Sequence, residues 1–181
     1  MRERRWNILV DLLQGRPHSI GAEIGVFEGD TSTYLMRSMP GLRLLYCIDP
    51  FEHYPAQTEI LNLNKDKFYQ VNYEKVINKF LSRMEPYLER YILLRMYSKT
   101  AARVVQDGSL DFVFIDGNHS YEFAKEDIEL WLPKIKSGGL LTGHDYNVRG
   151  YKKSFGVTQA VEERFGTDFN FKRFMWWHEV K

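Results

Sequence analysis

Leu110-Asp111-Phe112-Val113-Phe114-Ile115-Asp116-Gly117-Asn118-His119 is the stretch that decides the fold. Its first six residues form the clearest strand in the chain, a short apolar run rich in β-branched and aromatic side chains. It breaks off abruptly into the polar turn Asp-Gly-Asn-His. Working outward, Ala124, Ile128, Trp131 and Leu132 keep helical spacing until Pro133, and Gly138-Gly139 lead into a strand over Leu140–Thr142, followed by His144-Asp145-Tyr146. Upstream lie a strand at Tyr91–Met96 and a short helix at Ser98–Val105 capped by Ser98 or Thr100. Helix and strand therefore alternate on both sides of the decisive stretch.

The same alternation runs to both ends. Trp6, Leu9, Val10 and Leu13 mark an amphipathic helix that stops at Gly15 and Pro17. Ile20–Val26 reads as a buried strand, Gly29-Asp30-Thr31-Ser32 as polar caps of a helix to about Ser38, and Leu42–Ile48 as a second strand ending at Asp49-Pro50. Tyr69, Tyr73, Val76, Ile77, Phe80 and Met84 form a further helix before Pro86. Val157–Phe165 is a last helix, and Phe169–Phe174 and Met175–Val180 are two closing strands. Residues 51–65 read as a surface loop and 147–156 as a mobile one. The pattern predicts one α/β domain over residues 1–181, with a mostly parallel sheet.

Composition narrows the function. With 44% hydrophobic residues and 12 Phe, 11 Tyr and 4 Trp, 181 residues suffice for a packed core. The formal charge of +1 disfavours nucleic acid and anionic membrane surfaces as partners. No apolar run approaches the ~18–20 residues of a membrane span. A single cysteine, Cys47, reads as a buried core residue and fits a reducing, cytoplasmic setting. Trp131 reads as core, and Phe174, Trp176 and Trp177 as packing for the last strands, with a homodimer contact as the alternative use of one face. Arg149, Lys152 and Lys153 read as a solvated loop, with gating of an anionic substrate as the alternative.

Ligands of parallel sheets bind beyond the carboxyl ends of the strands. The first strand ends in Glu23-Ile24-Gly25-Val26-Phe27-Glu28-Gly29, two glycines four apart between strand and helix. Such a turn lets a ligand approach the main chain. The spacing is neither Gly-x-Gly-x-x-Gly nor a phosphate loop, which counts against hydride transfer and nucleotide hydrolysis. An acid inside the turn, Glu23, repels phosphates and tolerates a cationic ligand, and Asp49 can accept bonds from both hydroxyls of a ribose.

Glu-Ile-Gly-Val-Phe-Glu-Gly and Cys47-Ile-Asp-Pro resemble the first two motifs of class I S-adenosylmethionine-dependent methyltransferases. The decisive stretch, continued through Trp131-Leu-Pro, Gly138-Gly139 and His144-Asp145-Tyr146, resembles the type 24 methyltransferase domain, related to macrolide-sugar O-methyltransferases. The resemblance covers residues 18–165. It implies a Rossmann-like three-layer sandwich with a seven-stranded, mostly parallel sheet and an antiparallel last strand. Gly25, Phe27 and Gly29 would then line S-adenosylmethionine, with Glu23 supporting the turn. Asp49 would hold the ribose, Phe51 would flank the adenine, Ser98 would meet its edge, and Asp116 would lie near the sulfonium.

The sugar-modifying relatives bind a divalent cation through an acid at each of the positions of Asp116 and Asp145 and a third acid beside the second. A histidine three residues after the first acid is their base. Asp116, His119 and Asp145 match this pattern, whereas His144 replaces the third acid. Imidazole suits zinc, iron, manganese or nickel better than magnesium or calcium. The implied function is O-methylation of a small-molecule or sugar hydroxyl, with His119 as base and a metal at Asp116, His144 and Asp145 left open. The alternatives are a non-catalytic S-adenosylmethionine-binding module and a nucleotide-dependent oxidoreductase.

Overall fold

The computed structural model describes residues 4–53, 71–148 and 156–181. Most of the expected loops at 51–65 and 147–156 fall outside them, as do Tyr69, Arg149, Lys152 and Lys153. The strands are β1 (Ile20–Ile24), β2 (Leu44–Ile48), β3 (Tyr91–Leu94), β4 (Leu110–Ile115), β5 (Ile135–Gly143), β6 (Asn170–Lys172) and β7 (Met175–Glu179). They form one seven-stranded sheet in the order β3-β2-β1-β4-β5-β7-β6. β7 lies antiparallel to both β5 and β6, while the remaining neighbours pair in parallel. The resemblance implied this sheet, reversed strand included.

The alternating side chains of β4 explain the layering. Phe112 and Phe114 enter one core with Leu9, Leu13, Leu35, Leu45 and Phe80. Val113 and Ile115 enter the opposite core with Ile24, Ile128, Trp131 and Trp176. α1 (Arg5–Leu13), α2 (Asp30–Ser38) and α3 (Tyr73–Met84) cover the first face. α4 (Ser98–Ala101), α5 (Tyr121–Trp131) and α6 (Val157–Phe165) cover the second. Each fully buried Phe or Leu contributes about 1.5–3 kcal/mol, so both faces favour this one register. No helix among the described residues is long and apolar enough to cross a membrane.

Three local expectations are corrected. β5 starts at Ile135 rather than Leu140, because the register shift opposite Leu110 and Phe112 absorbs Gly138-Gly139 as an irregularity instead of a break. α2 has Gly29 as its N-cap, in the left-handed conformation, with no side-chain cap. The Ser32 and Thr31 hydroxyls are engaged inside the fold instead. α4 begins after Tyr97, so Ser98 lies within the helix, and no side chain caps its start. The α2 end is satisfied by a distant arginine: Arg90 donates to the carbonyls of Met36, Met39 and Leu42 at 2.6–3.2 Å. Of the aromatics expected to pack inside, Trp131 and Trp176 are among the largest fully buried side chains, Trp177 is partly buried and Phe174 is 40% exposed.

Candidate active site

The chain reverses its direction of travel across the sheet between β1 and β4, and the crevice lies at their carboxyl ends. Just past the regular strands, four backbone bonds hold the functional residues in one row. Asp49 N–H donates to Leu94 at 3.4 Å, Gly25 to Ile48 at 2.8 Å, Asp116 to Ile24 at 2.8 Å and His144 to Ile115 at 3.0 Å. Gly25 has φ +85, and a Cβ there would lie 2.4 Å from the Asp116 carbonyl oxygen. Only glycine permits both that backbone angle and that approach. The two turns therefore touch through Gly25.

On the β1–β2 side the acids are held by neutral donors. Asp49 accepts the Phe27 N–H at 2.9 Å on Oδ2 and the Phe51 N–H at 2.7 Å on Oδ1. Burial raises its pKa, and these two bonds oppose the rise. Each oxygen keeps a further acceptor site for a ribose hydroxyl. Phe27 and Phe51 both have positive φ, 47° and 51°, but face opposite ways. The Phe27 side chain is 44% exposed at the crevice, whereas Phe51 is 2% exposed and packs on Phe80. The Phe51 ring lies in the core, and its backbone N–H anchors Asp49.

Glu23 is buried and accepts the Ser32 hydroxyl at 2.5 Å. Burial pushes its pKa up to about 8, against the bond from Ser32 and with the nearby Asp116 charge. It therefore stands mainly as a neutral carboxyl supporting the glycine turn. Gly29, φ +79, closes that turn on the Phe80 ring. Glu28 pairs outward with Lys79 and Arg83 of α3. Ser98 is buried, accepts the Trp131 indole N–H at 2.7 Å and bonds Asp127, so its hydroxyl is already engaged within the fold. Burial pushes Asp127 up to about 7.

The β4–β5 side is ionic. His119 Nε2 lies 2.8 Å from Asp145 Oδ2, and His144 Nδ1 lies 3.2 Å from Asp145 Oδ1 and 3.7 Å from Asp116 Oδ1. Burial would raise Asp145, but the two imidazoles hold it well below the usual carboxylate range. Burial also depresses His119, yet its bond with Asp145 and the neighbouring negative charges leave its pKa raised. Asp145 sits at φ +60, a backbone state that aspartate tolerates better than most residues. Asn118 accepts the Ser120 N–H at 3.0 Å and so braces the turn that carries His119.

Arg5 is the residue that the sequence reading missed. From the first turn of α1 its Nε reaches Asp116 Oδ2 at 2.9 Å and Thr31 Oγ1 at 3.2 Å. Burial still leaves the Asp116 pKa raised, with Arg5 opposing the rise. In the sequence, Arg5 is one of several basic residues before an amphipathic helix, and nothing local marks it. Arg4, Arg5 and Trp6, together with Arg173 and Phe174 from the β6–β7 turn, line a cavity of about 330 Å³ that opens beside His144.

The implied cation can be tested against this arrangement. One donor atom each from Asp116, His144 and Asp145 lies within 4.8 Å of the others, so the three residues fit one ion. Arg5 already holds one oxygen of Asp116, and the imidazole favours a borderline metal over magnesium or calcium.

A family model described as a methyltransferase domain matches residues 22–146. The chain is 31% identical over 90 residues to the uncharacterized protein y4gI of Sinorhizobium fredii, a match spanning half of this chain and about a tenth of that relative. Its fold is similar to an O-methyltransferase from Bacillus cereus solved in complex with SAH (TM-score 0.71, 14% identity, 100% of this chain and 82% of the other). It is also similar to an rRNA methylase from Streptococcus thermophilus (TM-score 0.65, 15% identity, 100% and 99% covered).

Proposed function

The chain belongs to this methyltransferase-domain family, and on that premise we propose that it transfers the methyl group of S-adenosylmethionine to a hydroxyl oxygen of a small-molecule or sugar acceptor. The observation that carries the proposal is the meeting of the glycine turn after β1 with the Asp116–Asp145–His119 cluster after β4 and β5. The cofactor spans the β1–β2 ends: Gly25 and Gly29 border its methionine part, Phe27 covers it, and Asp49 receives the ribose hydroxyls. The sulfonium lies by Asp116, whose negative charge complements it.

In the transfer the acceptor oxygen forms a bond to the methyl carbon as the carbon–sulfur bond breaks. S-adenosylhomocysteine leaves, and the hydroxyl proton passes to His119. With Nε2 donating to Asp145, the accepting nitrogen of the neutral ring is Nδ1. Asp145 fixes the ring and stabilises the imidazolium that results. Alignment of acceptor, carbon and sulfur supplies roughly 7–11 kcal/mol, and a base typically 10²–10⁴-fold, about 3–5 kcal/mol. Alignment therefore dominates. A divalent ion held by Asp116, His144 and Asp145 would add polarisation of the acceptor oxygen.

A cavity of about 330 Å³ and a formal charge of +1 support a small acceptor rather than a nucleic acid. The test is calorimetric titration with S-adenosylhomocysteine, followed by turnover measured on hydroxylated compounds with and without chelator. Tight cofactor binding with turnover supports the reading. Binding without turnover across the panel supports the non-catalytic module, and no binding sinks both. Full activity in chelator removes the metal.

A further inference from the structure

We propose that Arg5 is a positioning residue of the methyl-transfer centre and its built-in counter-ion: it pins Asp116 where a divalent cation would otherwise bind, so that the reaction runs without a metal. The inference rests on the methyl-transfer reading and gives Arg5 a part in it. Asp116 and Asp145 offer four carboxylate oxygens, and each has a nitrogen of this chain beside it. Arg5 Nε lies 2.9 Å from Asp116 Oδ2, and His119 Nε2 lies 2.8 Å from Asp145 Oδ2. His144 Nδ1 stands between the other two, 3.2 Å from Asp145 Oδ1 and 3.7 Å from Asp116 Oδ1. An ion drawing on Asp116, His144 and Asp145 would compete with these nitrogens for the same oxygens.

Among the competitors Arg5 weighs most. An imidazole can give up its proton and turn to a metal, whereas a guanidinium keeps its charge. That fixed positive charge offsets one of the two carboxylates and repels a divalent cation approaching the same oxygens. Water screens the repulsion little, because the side chains of Asp116 and Asp145 are only 9% and 15% exposed. Arg5 is also anchored apart from the acids. Its Nε reaches the hydroxyl of buried Thr31 at 3.2 Å, and its guanidinium carbon lies 5.6 Å from the Trp6 ring centre, within cation–π range. The helix behind it is held by Ile8, Leu9, Val10 and Leu13, all buried. α1 thus delivers a charge to Asp116 and does not depend on that contact for its own place.

The test is Mn²⁺ binding by the full chain, followed by the electron paramagnetic resonance signal of the free ion at constant ionic strength. Two neutral replacements are measured, Arg5→Met and Arg5→Gln; the side chain is 34% exposed, so neither leaves a closed cavity. Each should bind one Mn²⁺ at least about tenfold more tightly than the wild type. Arg5→Lys restores the charge and should bind as weakly as the wild type, which a merely structural arginine would not require. Adding Asp145→Asn to Arg5→Met should remove the gain and so assign the ion to this centre. Wild-type affinity for S-adenosylhomocysteine, read by calorimetry, should be the same in EDTA as in Mn²⁺, and turnover of any compound it methylates should be indifferent to chelator. The proposal is overturned if the wild type binds Mn²⁺ as tightly as the neutral variants, if Arg5→Lys gains affinity as they do, or if the gain survives Asp145→Asn. Turnover abolished by chelator overturns it too. A wild type that binds no S-adenosylhomocysteine in either buffer sinks the methyl-transfer reading instead, and the Mn²⁺ titrations still decide whether Arg5 keeps the ion out.

Discussion

The two halves of the crevice hold their acids in opposite ways. At the β1–β2 ends Asp49 is fixed by two backbone N–H groups and Glu23 by a serine hydroxyl, none of them ionisable. At the β4–β5 ends Asp116 and Asp145 are held by Arg5, His119 and His144, ionisable groups from α1 and from two separate turns. Neutral donors give a cradle whose Glu23 stays mainly protonated. Ionic partners keep Asp145 charged and leave a histidine able to take up a proton. The first arrangement suits binding of a preformed cofactor, the second a step in which charge moves.

That contrast can be broken at four points. The largest effect belongs to Gly25→Ala, which would push a Cβ onto the Asp116 carbonyl at a positive φ. Strain and overpacking together should cost about 2–6 kcal/mol, lowering the melting temperature and abolishing cofactor binding and turnover together. His119→Ala separates the halves: turnover should fall about 10²–10⁴-fold while S-adenosylhomocysteine affinity, read by calorimetry, stays within twofold. Equal loss of both would show that the halves do not act separately. Asp49→Ala should do the reverse, weakening S-adenosylhomocysteine by about 2–4 kcal/mol through the loss of an acceptor of charged hydrogen bonds.

The fourth point is stability against pH. Glu23 has a folded pKa of about 8 against 4.5 for the free side chain. Between these values the unfolded chain has released a proton that the folded chain retains. Stability is therefore full below about pH 4.5 and declines as pH rises toward 8. Asp127, raised to about 7, acts in the same direction. Urea midpoints at pH 5.5 and 7.5 should fall accordingly, and Glu23→Gln should flatten the difference. An unchanged slope in that variant would mean that Glu23 ionises normally and that the two halves do not differ in charge state.

Much of this was legible in the residues. Strand β4 could be read because five of its six side chains are apolar and pack against two covered faces. The glycine turn, Asp49 and the Asp-Gly-Asn-His turn could be located because strand ends are marked by local chemistry. Ser98 and Phe51 were placed at the right strand ends, yet a Trp131 indole and a Phe80 ring, both distant in sequence, draw their side chains into the core. Ring direction and hydroxyl partners depend on neighbours that no local pattern names.

By itself, then, the sequence determined the alternation of elements, the sheet's two-sided burial and the identity of the strand-end acids, because periodicity and turn chemistry act over a few residues. Only the tertiary structure decided which of those acids are neutral and which are paired. It alone brought Arg5 to Asp116 across 111 positions and joined Arg4 to Arg173 around one cavity. Charge interactions act through space, over a few ångströms, whatever the distance along the chain.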